Sequence, residues 1–396
     1  MASAVGAPLV GGAGTGDTGT ADTGRAGRTL PVAGFVLAAA VALAVSLRLP
    51  AGTAVVGLAV FGILHNVLEL RYVTGRFEGV LHGPFLRLLG TLITGIVVCR
   101  LLPPSSGTRT AEILLAYVLL AAACVHALRT RPVPLAASCA LLAGAAMASL
   151  AFPAYHFVVL AHLHNVVPLL FLWEWSRAMP RGRAAFRAVQ CGWVLVIPAL
   201  LLSGALDGLL GAGSGWTDRL ALSYTPPAWQ HTHAGLRFVA VFAFLQTMHY
   251  VVWVWFMPRY APDATEAFER RAPVLRGVRA WALGLGGAAA LSVLFVSDYT
   301  RGRSLYAAVA SYHAYLEFPV LLMLVLGLGE RGRAAGADLT GTRPTGTRPT
   351  GTSATEKRPP EKSPPAMGAT AMGATEESAT DARATDGRKE SSDAAR

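Results

Sequence analysis

Long apolar runs alternate with short polar segments through the middle of the chain. Each run has close to the roughly 20 residues that a helix rising about 1.5 Å per residue needs to cross a bilayer. The runs are continuously apolar, which favours helices over the alternating strands of a membrane barrel. The pattern predicts an all-α, polytopic transmembrane helix bundle of about ten spans. These spans lie near residues 30–49, 52–70, 84–102, 111–129, 132–152, 153–174, 185–208, 234–258, 278–297 and 304–328.

The two ends of the chain differ in composition from the middle. Residues 1–29 are rich in Gly, Thr and Ala, and residues 329–396 contain the tandem repeats TGTRPTGTRPTGT and AMGATAMGATEE. Such segments cannot bury enough apolar surface to fold alone, so we expect both to be disordered. No secretory signal peptide is expected, because the first apolar run begins late and has spanning length. We therefore predict a transmembrane helical domain at 30–328 between two disordered tails.

Composition and charge narrow the class of protein. The chain is 53% hydrophobic and only 14% charged, whereas about a quarter of the residues in a soluble domain are charged. The net charge of +11 does not indicate nucleic-acid binding, because the arginines form short clusters between apolar runs rather than one basic face. These clusters are richest in alternate loops, and because arginine favours the cytoplasmic side, we expect both termini in the cytoplasm. We expect the plasma membrane as the location.

Histidines within the apolar runs are the most informative feature of the sequence. Eight of the ten histidines lie within or beside the predicted spans, although ionisable groups in lipid are costly and usually face a bundle interior or a cavity. The segment ILHNVLELRY places His65 and Glu69 on one helix face, one turn apart. The segment SYHAYLEFP repeats this spacing with His313 and Glu317.

Two further spans contribute candidates. AYHFVVLAHLHNVV contains His162 and His164, and FLQTMHYVVWVW contains Gln246 and His249. Because His162 and His164 are about 200° apart around a helix, at most one of them faces a common cavity, and we favour His164. Counting back from the predicted cytoplasmic ends places His65 about 8 Å, His249 about 12 Å and His164 about 16 Å deep, in one half of the bilayer.

Imidazole and carboxylate together indicate a metal site. Neutral imidazole suits iron, copper or zinc, and mixed histidine and carboxylate sets with open positions are typical of non-haem iron oxygen chemistry. We therefore expect a non-haem iron, with copper or haem as the alternatives. The expected metal ligands are His65, His164, His249 and His313. Glu69 and Glu317 are the expected catalytic carboxylates, either ligating the metal or relaying protons.

A multi-span bundle with His65, His164, His249 and His313 on separate helices resembles the Brp/Blh family of membrane carotenoid dioxygenases. The resemblance implies one non-haem iron held by four histidines and the cleavage of an apolar polyene with dioxygen. It rests on the neighbourhoods of these histidines, and the HxxxH pair of that family is absent. The HxxxH and HxxHH boxes of membrane fatty-acid desaturases are absent as well.

Several interpretations remain open. The first is a membrane oxygenase or oxidoreductase whose partners are membrane lipid, a lipid-soluble substrate and a redox protein. The second is a haem-bearing electron-transfer protein, the third a transporter of protons or metal ions, and the fourth a structural subunit. Two other transmembrane histidines, His126 and His156, are expected to bond to neighbouring helices, and the outer-loop histidines to be solvated. Trp173, Trp175, Trp253 and Trp255 are expected to be interfacial anchors.

Overall fold

The computed structural model describes residues 20–179, 181–211 and 215–326, and within these ranges the chain is helical, without strands. The α-helices are α1 (Thr20–Arg48), α2 (Pro50–Arg76), α3 (Gly83–Leu101), α4 (Ser106–Leu128), α5 (Pro132–Ala151), α6 (Pro153–Val166), α7 (Pro168–Trp175), α8 (Arg183–Cys191), α9 (Ile197–Ser203), α10 (Gly215–Tyr224), α11 (His233–Tyr250), α12 (Met257–Tyr260), α13 (Pro262–Arg271), α14 (Val278–Ser297) and α15 (Tyr299–Val325). Short 3₁₀ turns lie at Ser176–Ala178, Asp207–Leu209, Pro227–Trp229 and Pro273–Leu275, and π-helical turns at Gly192–Val196 and Val251–Phe256.

Prolines and local caps set many of the helix starts. Proline stands in the first turn of α2, α5, α6, α7 and α13, where its missing N–H costs no helical hydrogen bond. Ser105 and Thr108 form a capping box at the start of α4. The division between the fifth and sixth spans falls at Phe152, directly before Pro153. That division agrees with the sequence prediction.

The predicted all-α bundle of ten spans is confirmed. Ten helical segments in the described part of the chain are long and apolar enough to cross a membrane. Their ends differ from the predicted ones, since the second span continues to Arg76 and the last begins at Tyr299. α1 begins at Thr20, although its membrane-length apolar part begins only at Pro31. Of the segments 1–29 and 329–396 that are expected to be disordered, residues 1–19 and 329–396 lie outside the described residues, whereas residues 20–29 form the start of α1.

The spanning helices differ greatly in how deeply they are buried. In the most apolar 18-residue stretch of each span, the buried share is 72% in His233–Tyr260, 56% in α15 and 44% in α2. In α5 no residue is buried, and its large side chains, such as Leu141, face outward. The core of the bundle is therefore built around α2, α11 and α15, with α5 at its periphery.

Small residues allow the closest helix contacts. A Cβ added to Gly284 of α14 would lie 2.7 Å from a side-chain carbon of Leu64 on α2, and one added to Gly287 would lie 2.6 Å from Ile63. Without a hydrophobic driving force between helices in lipid, such close backbone approach is a main source of packing energy. These glycines hold α14 directly against the back of α2.

An aromatic layer fills the part of the core towards the end of α2. Trp253 is fully buried and contacts Tyr72 and Phe171, with ring centroids 5.5 and 5.6 Å away. The expectation that Trp253 is an interfacial anchor is therefore wrong. The π-helical turn at Val251–Phe256 changes the helical register after α11, so that Trp253 and Phe256 face the core instead of the lipid interface.

Candidate metal centre

Two helices present the same pair of side chains to the core. His65 and Glu69 lie one turn apart on α2, and His313 and Glu317 lie one turn apart on α15. All four side chains are buried, although α2 and α15 are also apolar enough to span a membrane. The repeated pattern therefore marks the inward faces of both helices, as the sequence predicted.

The other two histidines lie beside irregularities in their helices. His164 is in the last turn of α6, and Pro168 at the start of α7 has no N–H to donate to the His164 carbonyl. His249 is the penultimate residue of α11, directly before a π-helical turn. Interrupted helices of both kinds are common at functional sites, because they re-aim side chains without ending the span.

The structure brings these four histidines together. One ring nitrogen from each of His65, His164, His249 and His313 lies within 4.8 Å of the others. The Nε2 atoms of His164 and His313 are 3.2 Å apart. The ring centroid of His65 is 5.2 Å from that of His249, and the centroid of His164 is 4.5 Å from that of His249. We call this set the four-histidine centre.

Neighbouring acceptors orient two of the rings. The Nδ1–H of His164 donates to Glu317 Oε2 at 2.7 Å, and the Nδ1–H of His65 donates to the Phe61 carbonyl at 2.9 Å. In both rings this leaves Nε2 unprotonated and free to bind a cation. A carboxylate or carbonyl behind a histidine is the usual arrangement around a protein-bound metal.

Glu69 lies beside another histidine of the centre. Its Oε2 atom lies 3.4 Å from His249 Nε2, within ion-pair distance. The carboxyls of Glu69 and Glu317 are also close enough to interact electrostatically. The two glutamates therefore form a carboxyl pair beside the histidines, rather than two separate sites.

Several buried polar atoms of this region make no hydrogen bond within the part of the chain that the structure describes. They are both carboxyl oxygens of Glu69, Oε1 of Glu317, Nδ1 of His313 and both ring nitrogens of His249. Leaving a buried polar group unpaired costs about 1–3 kcal/mol, and such groups are rare in native proteins. Their concentration at one point indicates a site built for a polar or charged occupant.

The donor set fits a transition-metal ion. Imidazole nitrogens bind such ions at about 2.0–2.1 Å, so nitrogens that share one ion lie roughly 3–4 Å apart. The separations in the four-histidine centre reach this range after small side-chain movements. Convergence of four nitrogens on one point also leaves no room for a porphyrin between two axial histidines.

No family model, curated protein or solved structure matches the chain. The chemical properties of the centre therefore follow from its own residues and surroundings.

A cavity of about 400 Å³ adjoins the centre and is lined by its four histidines. That volume is within the usual range of small-molecule sites, about 300–1,000 Å³. A second cavity, of about 550 Å³, lies between α4, α5, α6 and α15 and is almost entirely apolar. Leu160 and Tyr315 line both cavities. The second cavity includes outward-facing side chains such as Phe152 and Val159.

The remaining histidines are placed elsewhere. The Nε2–H of His162 donates to the Tyr224 carbonyl at 2.8 Å, so this ring points away from the centre, as predicted. His156 contacts Ser149 Oγ of α5 at 3.0 Å, which confirms the expected bond between helices. His126 stacks on Phe85 instead, with ring centroids 4.0 Å apart.

The depth of the centre differs from the sequence estimate. Measured from the observed ends of their spans, His65 and His249 lie about 16 Å in, His313 about 18 Å and His164 about 21 Å. The centre therefore lies near the middle of the spanning length, not towards one face. The distance for His65 exceeds the predicted one because the second helix ends six residues later than its apolar run suggested.

Sequence reasoning missed a second buried polar group beside the centre. Arg100 lies in α3 and donates two hydrogen bonds to Glu112 Oε1 of α4, at 2.6 and 2.8 Å. The Tyr315 hydroxyl donates to the same oxygen at 2.7 Å. The signal that was available is Glu112 itself, an acid inside the fourth apolar run.

Proposed function

We propose that this chain is an integral membrane metalloenzyme, a non-haem iron oxygenase or oxidoreductase that acts on a lipid-soluble substrate. The observation that carries the proposal is the meeting of four histidines from four spanning helices, with ligand atoms within 4.8 Å of one another. Imidazole with nearby carboxylates suits iron, with copper as the second choice. Haem is a poorer fit, because four converging nitrogens leave no room for a porphyrin.

The histidines and glutamates have separate roles in this proposal. When bound, iron supplies a redox-active ion with coordination positions open to dioxygen. His65 and His164 present Nε2 to the ion because Phe61 and Glu317 fix their Nδ1 protons. His249 and His313 complete the set. Glu317 holds the His164 ring in place, and Glu69 is available to hold or pass a proton beside His249.

The surroundings support a substrate that comes from the bilayer. The apolar cavity between α4, α5, α6 and α15 has outward-facing residues in its lining and shares Leu160 and Tyr315 with the cavity of the centre. We infer that a hydrocarbon reaches the histidines from the apolar cavity, past the side chains of Leu160 and Tyr315. The resemblance to carotenoid dioxygenases adds a polyene to the candidate substrates. We place the enzyme in the plasma membrane with both termini cytoplasmic, where a separate redox partner supplies electrons.

Metal analysis with an optical spectrum tests this function. Detergent-purified wild type is compared with His65→Ala, His249→Ala and His313→Ala, and with His156→Ala and His162→Ala as controls from outside the centre. We expect about one iron per chain in the wild type and the controls, less than about a tenth of that in the three centre variants, and no haem Soret band. Oxygen uptake with extracted membrane lipids should follow the metal content.

Each other outcome selects a different function. A Soret band that disappears in the centre variants would replace the proposal with haem-based electron transfer. A bound metal without oxygen uptake, but with metal or proton flux in liposomes, would replace it with transport. If folded wild-type protein binds neither metal nor haem after reconstitution, the proposed metalloenzyme function is overturned.

A further inference from the structure

The cavity of the four-histidine centre has a second, cationic end. Arg303, ten residues before His313 on α15, lines that end, and the lining of the cavity also includes Arg109 and, closer to the histidines, Arg100. Arg100 is neutralised by Glu112. Arg303 donates to Ser223 Oγ at 2.6 Å, and neither Arg303 nor Arg109 forms an ion pair with any described residue. Two positive charges thus remain unbalanced at this end, where a fixed anion would be stabilised by charge-assisted hydrogen bonds.

A face of α15 connects the two ends of the cavity. Arg303, Ala307, Ala310 and Ala314 all line it, and their spacing of four, three and four residues puts them on one helical stripe. The alanines leave space that longer side chains would fill. From Arg303 to His313 the helix rises about 15 Å. The other walls contain apolar side chains such as Phe242 and Leu58, and polar ones such as Tyr306.

A buried polar atom inside the cavity also points to an occupant. Gln246 lines the cavity and is 4% exposed. Its Nε2 donates to the Tyr250 hydroxyl at 2.7 Å, but its Oε1 has no hydrogen-bond partner among the described residues. An unpaired carbonyl oxygen buried beside a cavity is costly, and because a hydrocarbon offers no donor, a water molecule held beside the bound chain would have to pair with it.

We propose that Arg109 and Arg303 bind the anionic head group of a single-chain amphiphile, a carboxylate or a phosphate, whose hydrocarbon chain extends along α15 to the four-histidine centre. The inference rests on the proposed function only for what happens at the centre, since binding itself requires no metal. A fixed head group would determine which carbon of the chain faces the histidines, because the distance between the two ends of the cavity is set by α15.

Binding of a fluorescent fatty acid tests this site. The wild-type chain in phosphatidylcholine nanodiscs is titrated with cis-parinaric acid, and bound probe is displaced with palmitate, palmitate methyl ester or lysophosphatidate. We expect Arg303→Gln and Arg109→Gln each to weaken binding of the probe by about ten-fold. The matched control is Arg301→Gln on the same helix, whose side chain is 83% exposed and paired with Asp298, and it should bind as the wild type does.

The displacement series identifies the head group. If only palmitate displaces the probe, the site is specific for a carboxylate head group. If palmitate and lysophosphatidate both displace it, the site accepts either a carboxylate or a phosphate. Equal displacement by the methyl ester, or equal loss in Arg301→Gln, would overturn the proposal. Because Arg109 is exposed, Arg109→Gln remains an informative variant even where Arg303→Gln fails to fold. Repeating the titration on chelator-stripped protein separates this proposal from the metalloenzyme, since head-group binding should persist there.

Discussion

α5 and the span that contains α11 show how little hydropathy reveals about position in this bundle. Their most apolar windows have similar mean hydropathy, 1.8 and 1.6, yet 0% of the first is buried and 72% of the second. Lipid tails are as apolar as leucine, so an apolar side chain gains little by moving from lipid into the bundle. What separates the two helices is their polar content, because α11 contains Gln246 and His249 and α5 has no ionisable side chain except Cys139.

The difference in polar content between α5 and α11 also explains the position of the four-histidine centre. A histidine or glutamate is expensive in lipid and is accepted only where the bundle interior offers partners or an occupant. The helices that contribute to the four-histidine centre are therefore held in the interior, and α5 is free to face the membrane. Substitutions in the two regions should consequently have very different effects, and the following experiments measure that difference.

The largest effect is expected at the buried ion pair of α3 and α4. Glu112→Ala would leave the partly buried Arg100 guanidinium without its carboxylate, and breaking a fully buried pair, the upper limit here, costs about 3–5 kcal/mol. Thermal unfolding in detergent should show a strongly lowered melting temperature. Leu141→Ala on α5 is the peripheral control, since this side chain is 75% exposed in the bundle. Similar melting temperatures for the two variants would mean that the core is not organised by this pair.

The next effect concerns metal retention. Glu317→Gln keeps the size of the side chain but removes the charge that faces His164 Nδ1. Loss of such a supporting carboxylate usually weakens metal binding by about 10- to 100-fold. Competition with a chelator measures this affinity, with Glu266→Gln on the exposed face of α13 as the control. Unchanged affinity in Glu317→Gln would show that the carboxylate does not support the His164 ligand.

A smaller effect is expected from a single methyl group. A Cβ added to Gly75 of α2 would lie 1.9 Å from the Ala264 carbonyl oxygen of α13, whereas one added to Gly144 of α5 would meet nothing within 4 Å. Gly75→Ala should therefore destabilise the protein by about 1–3 kcal/mol, and Gly144→Ala should leave it unchanged or slightly more stable. Thermal unfolding of the pair compares core and periphery with the same substitution.

The smallest effect is a dependence of stability on pH. The Gly277 N–H donates to the Glu269 carboxylate at 2.8 Å, and this bond, together with Arg71, lowers the pKa of Glu269 below its ordinary value of 4.5. The resulting stability is present at pH values above 4.5 and is lost as the pH falls through the lowered pKa. Melting temperatures recorded from pH 7 downward should therefore decrease less in Glu269→Gln than in the wild type.

The sequence was sufficient for much of the fold and for the identity of the centre. Continuous apolar runs are required for spanning, so the number of spans could be counted. Ionisable side chains are costly inside such runs, so those that occur there are functional candidates. This identified His65, Glu69, His313 and Glu317. Helical geometry predicted that at most one of His162 and His164 joins them, and the structure selects His164.

The rest depends on tertiary structure that a one-dimensional pattern does not contain. The pairing of Arg100 with Glu112 joins two helices, and neither apolar run by itself indicates the partner of its charged residue. The inward position of Trp253 depends on a π-helical turn, for which FLQTMHYVVWVW has no distinctive residue. The cavities arise from gaps between helices, so they could not be located from any single run.

The order of the four histidines along the chain has a consequence for biogenesis. The first comes from α2 and the last from α15, the final helix of the described chain. Helices enter the membrane in the order of their synthesis, so three histidines are in place while the fourth has still to be made. The complete site forms only when the last helix packs between its predecessors, and cofactor loading would thus report that insertion of the whole bundle has finished.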